Sequence, residues 1–214
     1  MSFWAGIILK KSVVMAADER RVYPEKASFE DGRSNLIRIN DHTWLAAAGF
    51  FPLAGVVLEG FRQVFGDNKV DLVLLLDTEA DFRAALRDAY GRLKAEGSPA
   101  SDLLLGGVSS QDVPYLVPIG SAADFRLRII REPFATVCLN FAEPLQAQVK
   151  EALAPLKNRL AKEPLEERRV KAAQATLRQL LPLVAAGSEW VAPEGEMVTV
   201  SAKGSRLTPL KKKS

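Results

Sequence analysis

The chain has 214 residues, 48% of them hydrophobic and 26% charged, with a formal net charge of +3. That is the balance of an ordinary globular protein, long enough for one large domain or two small ones with a core that needs no staple. The small basic excess lies partly in the terminal "LKKKS" and does not call for a nucleic-acid partner. Cys138 is the single cysteine, which excludes an intrachain disulfide and suits a reducing, cytoplasmic compartment. His42 is the single histidine, so a structural zinc site is close to excluded. No apolar run reaches membrane-spanning length, and the start lacks the pattern of a secretory signal.

In chain order, "FWAGIIL" and "SVVMAAD" read as two strands joined at Lys10 and Lys11. "NLIRINDHTWLAAAG" reads as strand, turn and strand, with Asn40 and Asp41 as the turn signal and His42 a surface turn residue. At residues 50–65 the apolar period changes to that of a helix. A second helix is expected over 77–96, capped by Asp77 or Thr78, with Phe82, Leu86, Ala89, Tyr90 and Leu93 as its stripe. Gly97 and Pro99 are expected to end it.

"DLLLGGVSS" and "VPYLVPIG" return to strands. "DFRLRII" alternates Phe125, Leu127 and Ile129 with Arg126 and Arg128, which predicts a strand with one wet face, and "FATVCLN" a fourth. Helices are expected at 143–162 and 165–186, parted by Pro164, with Glu166 and Glu167 opening the second. "EMVTVSAKG" and "RLTPL" close the chain as strands, and 205–214 reads as a short basic tail.

This order predicts an α+β fold, a four-layer α-β-β-α sandwich of two stacked, mainly antiparallel sheets flanked by helix pairs, as a single domain over 1–214. No composition break marks a linker. Gly106 and Gly107 lack the Lys-Ser/Thr of a phosphate loop, and no cofactor is expected. "FRLRIIRE" lacks the interleaved aromatics of a nucleic-acid groove.

Residues 2–49, "SFWAGIILKKSVVMAADERRV" followed by "NLIRINDHTWLAAAG", resemble the N-terminal nucleophile (Ntn) hydrolases, in particular proteasome β-subunits and their HslV-type bacterial relatives. Ser2 and Asp18 are 16 residues apart, the family's spacing from nucleophile to acid. "LLLGGVSSQDVPYLVPIGSAADF" resembles a later strand pair of the family.

The resemblance implies that removal of Met1 exposes Ser2, whose hydroxyl is the nucleophile and whose own α-amine, with a pKa near neutrality, is the base. Gly49 N–H would stabilise the oxyanion, and Asp18 and Arg20 would orient the first strand. The bland reading of Asp18 and Arg20 is a structural ion pair that pins a hairpin.

Three departures accompany the match. Asn35 stands where the family has a lysine, and Arg33, two residues earlier, offers positive charge of a different shape. The family's Gly-Ser-Gly turn is replaced by "REPFATVCLNFAEP". The family's late Asp and Ser that support the amine have no clear match, and Ser188 and Glu189 stand nearest.

The first reading is therefore a peptidase-like amide hydrolase, with a catalytically inactive ring subunit and a small-molecule amidase as alternatives. The resemblance further implies a ring-forming homo-oligomer, an ATP-dependent unfoldase as partner and peptide as substrate, with no nucleic acid and no membrane. The helix at 50–65 carries Phe50, Phe51 and Phe61 beyond one stripe, a surface for a neighbouring subunit.

Overall fold

The computed structural model describes residues 2–23, 28–49, 52–93, 100–139 and 141–210. Strands β1 (Trp4–Ile8) and β2 (Ser12–Asp18) form an antiparallel hairpin with Lys10 and Lys11 exposed at its turn. Both strands are buried along their whole length, which explains why they read as unbroken apolar runs. β3 (Arg21–Tyr23) and β4 (Ser28–Glu30) make a two-stranded ribbon that the sequence did not signal.

β5 (Leu36–Asn40) and β6 (Thr43–Gly49) meet at the expected turn. There the His42 N–H donates to Asn40 Oδ1 at 2.9 Å, and the half-buried His42 ring lies 3.3 Å from the Ser201 carbonyl rather than free on the surface. β7 (Ser101–Val108) and β8 (Pro114–Gly120) follow, then the short β9 (Thr136–Cys138). β10 (Gly195–Ser201) and β11 (Gly204–Leu210) close the described chain.

These strands build two antiparallel sheets, one ordered β11-β10-β2-β1-β9 and the other β5-β6-β7-β8. The described residues also form five helices: α1 (Pro52–Phe65), α2 (Leu72–Asp77), α3 (Glu79–Leu93), α4 (Leu145–Lys162) and α5 (Glu166–Gly187). This mixed α+β arrangement is compatible with a sandwich.

The two-residue period of β6 divides the core. Trp44, Ala46 and Ala48 share one cluster with β1, β2, α4 and α5, while Leu45 and Ala47 share the other with α1, α2 and α3. The sheets approach closely where Gly106 faces β2. A Cβ at Gly106 would lie 2.4 Å from Met15 Sδ. No described helix is long and apolar enough to cross a membrane.

Several expectations are corrected. "DFRLRII" is not a strand: only Ile130 pairs, with Leu116, because Asp124 and Phe125 take positive φ and turn the chain. Its alternation still reports burial, with Phe125 and Leu127 inside and Arg126 and Arg128 outside. The helix expected over 77–96 begins at Glu79, because Asp77 ends α2. Thr78 Oγ1 donates back to the Leu74 carbonyl at 2.9 Å instead of capping α3.

Phe61 is not a surface residue, since it packs edge-on against Phe82 in the second core. Phe50 and Phe51, the end signals Gly97 and Pro99, and residues 211–214 lie outside the described residues. The remainder of the expected tail is ordered, because β11 pairs with β10 up to Leu210. As an edge strand β11 carries the exposed Arg206 and Pro209.

Gly49 ends β6 at φ 77°, and a Cβ there would sit 1.8 Å from the Ala100 carbonyl oxygen. Gly49→Ala therefore combines a left-handed backbone with a clash against main chain. It should destabilise the fold by about 2–4 kcal/mol, measured by urea unfolding. An unchanged midpoint would mean that β6 does not end in this way.

Candidate functional site

Asp18 is the last residue of β2 and is 0% exposed. A carboxylate taken out of water needs donors, and three reach it. Oδ1 accepts from Phe3 N–H at 3.0 Å and from Asn35 Nδ2 at 3.2 Å. Oδ2 accepts from Ala192 N–H at 3.0 Å. The start of β1, the start of β5 and the loop before β10 thus meet on one side chain. Burial pushes the Asp18 carboxyl up to about 6, and these hydrogen bonds oppose the rise without cancelling it.

Ser2 is 5% exposed, and its Oγ donates to the Arg20 carbonyl at 2.9 Å. Asn35, 1% exposed, donates to the same carbonyl at 3.0 Å. One carbonyl therefore joins Ser2 to Asn35, and Asn35 joins both to Asp18.

Arg20 contributes its side chain elsewhere. The guanidinium pairs with Asp31 at 2.7 Å and also donates to the Glu189 carbonyl. It holds the Asp31 carboxyl below its usual range. Asp18 and Arg20 are therefore not an ion pair with each other. Each is satisfied by other groups.

The remaining expected residues divide. β6 donates to β5 through Ala47 N–H, which reaches the Asn35 carbonyl at 3.0 Å. Backbone groups alternate along a strand, so Gly49 N–H points to the same side, past the last rung of that ladder. Arg33 pairs with Glu30 at 2.9 Å, with both side chains largely exposed, so its charge is directed outward. Ser188 directly follows α5 as its C-cap, and its carbonyl accepts from Val191 N–H at 3.2 Å. Glu189 takes part through its backbone carbonyl, with the residue itself exposed.

Two partners escaped sequence reasoning. Ala192 acts through its main chain, which no residue-type pattern encodes. Asp31 lies in a polar loop where its charge is one among several.

Chemically, the junction offers a buried hydroxyl, a buried carboxyl poised near neutrality and an amide donor. No group of three or more His, Cys, Asp or Glu able to hold a metal ion occurs among the described residues. Neither a protein-family model nor a curated protein matches the chain.

Because the Asp18 carboxyl is raised in the folded state, the fold binds a proton there more tightly than the unfolded chain does. Its contribution to stability is greatest below the ordinary value of 3.8 and is lost as pH rises through about 6. The full difference is about 3 kcal/mol. Asp31 and Asp124, held low by arginines, act with the opposite sign at lower pH. The readout is therefore the stability of Asp18→Asn minus that of wild type. It should become more favourable to the variant from pH 4.5 to pH 7.5 in thermal unfolding. A flat difference would show that Asp18 is not buried in this way.

Proposed function

We propose that this chain is an Ntn hydrolase of the proteasome β-subunit and HslV type, in a four-layer α-β-β-α fold, cleaving peptide or amide bonds with Ser2 after removal of Met1. The observation that carries this reading is the junction in which Ser2 and Asn35 share the Arg20 carbonyl and Asn35 also donates to Asp18. It joins three of the positions that the family resemblance singles out, although they are far apart in sequence.

In the reaction, Ser2 Oγ leaves the Arg20 carbonyl and attacks the amide carbon. Its proton passes to the free α-amine of Ser2, directly or through water, and then to the departing amine. Gly49 N–H receives the developing oxyanion. Water then hydrolyses the ester and restores the hydroxyl. Asp18 and Asn35 position the strand that presents Ser2.

A second reading, an inactive ring subunit, is favoured by one observation. Asn35 carries no charge, and Arg33 directs its charge outward toward Glu30. The hydroxyl then lacks the cation that would ease loss of its proton.

Intact mass of the purified protein and labelling by an electrophile that needs both hydroxyl and amine separate the two. The hydrolase reading expects loss of Met1 and labelling that Ser2→Ala abolishes. It also expects weak peptide hydrolysis that Asn35→Lys raises by about tenfold or more. Retained Met1, or labelling unchanged in Ser2→Ala, overturns it.

Assembly belongs to the same reading. We propose a closed homo-oligomeric ring that works with an ATP-dependent unfoldase and hides the site from folded proteins. With Phe61 buried, Val64 of α1 with Val73, Leu74 and Leu76 of α2 offer an exposed apolar surface to a neighbour among the described residues, the most exposed of them Val73 at 62%. Light scattering should give a mass that is a multiple of the 23.4 kDa chain. Val73→Asp combined with Leu76→Asp should reduce it to one chain. A monomer at every concentration in the unaltered protein excludes the ring.

A further inference from the structure

A cleft of about 1070 Å³ opens between the two sheets along β9. Its floor is apolar, with Trp4, Leu103, Phe134 and Leu139. Its rim is cationic on both sides, with Arg126 and Arg128 on the chain after β8 and Lys150 and Lys157 on α4. All four are exposed, and none forms an ion pair among the described residues. Glu132 lies near enough to Arg128 to feel its charge, and Asp102 is the one carboxyl in the lining, half-buried and raised by that burial.

The wall between floor and rim is a free strand edge. Leu139 N–H donates to the Trp4 carbonyl at 3.1 Å, and Ile8 N–H to the Ala135 carbonyl at 2.9 Å. Residues 135, 137 and 139 therefore face β1, and alternation turns the N–H and C=O of Thr136 and Cys138 away from it. β9 is the outermost strand of its sheet, and these groups open toward the cleft it lines. An unpaired strand edge is a template for another strand.

We propose that this cleft binds an extended, acidic peptide segment of a partner protein, which adds to the sheet beside β9. Backbone groups of the segment would pair with Thr136 and Cys138, its apolar side chains would rest on the floor, and its carboxylates would meet the four cations. The volume exceeds what a small ligand needs. The chain's own basic residues at 211–213 have the wrong sign to fill it. The inference stands apart from the Ser2 reading, because its readout is binding and not hydrolysis.

The probe is a fluorescein-labelled six-residue peptide alternating Glu with Leu or Val, followed by anisotropy against the full chain. Binding should weaken with added salt, as exposed charge attraction does. It should fall about tenfold or more with Lys150→Glu combined with Lys157→Glu, both exposed positions. The same peptide with alternate backbone nitrogens methylated, which cannot pair as a strand, should not bind. Occupancy should also slow reaction of the lone Cys138 thiol with a disulfide reagent, since Cys138 lines the cleft. Equal binding of a Lys-for-Glu peptide overturns the proposal. So does methylated peptide that binds as well as the parent, or charge reversal without effect. The two peptide comparisons need no variant protein to fold.

Discussion

The complete burial of one carboxyl group, Asp18, is the constraint around which one end of this fold is arranged. Among the described residues no side-chain ion pair reaches Asp18, and hydrogen-bond donors do most to make its burial tolerable. Two of the three donors are backbone N–H groups and the third is the Asn35 amide. Each comes from a different part of the chain, so the start of β1, the entry to β5 and the loop before β10 must all arrive at one point. Arg20 extends the junction outward. Its carbonyl takes two more donors, and its guanidinium reaches Asp31 and the main chain at Glu189. The hydroxyl of Ser2 is held where it is by this network of polar groups and not by packing alone.

The apolar half of the structure answers to a different rule. β6 sends alternate side chains into two cores, and the small residues among them let the sheets approach. On β7, Gly106 likewise lets Met15 of β2 come close. Bulk is supplied by Phe61, Phe65 and Phe82 on one side and by the leucines of α4 and α5 on the other. Layers built in this way hold their register, because a one-residue slip of β6 would exchange its two faces.

What the sequence made legible follows from these two rules. Helices α1 and α3 announced themselves by period, the central strands by apolar runs, the turn at Asn40 by its residue types, and α4 and α5 by the proline that parts them. The ribbon of β3 and β4 and the short α2 did not, since neither has enough length to carry a period. The segment at 124–130 misled for a physical reason: a chain lying along a core alternates in burial whether or not it pairs as a strand. Within the site, Ser2, Asp18, Asn35 and Arg20 were named from the resemblance of residues 2–49 to the Ntn hydrolases, with the Ser2 to Asp18 spacing in its support. The Ala192 contact and the shared Arg20 carbonyl were not, because main-chain groups are the same in every residue. Arg33 was misjudged because nearness in sequence does not show which way a side chain leaves the backbone.

The two ends of the five-stranded sheet differ in a way that bears on self-association. At β11 the outer face of the ladder is interrupted by Pro209, which has no N–H to offer, and flanked by Arg206. At β9 the backbone is uninterrupted but only three residues long. Growth of a fibre by stacking sheets edge to edge needs both ends to be receptive. Here Pro209 takes one donor from β11 and Arg206 adds charge beside it, so that edge is the less receptive of the two.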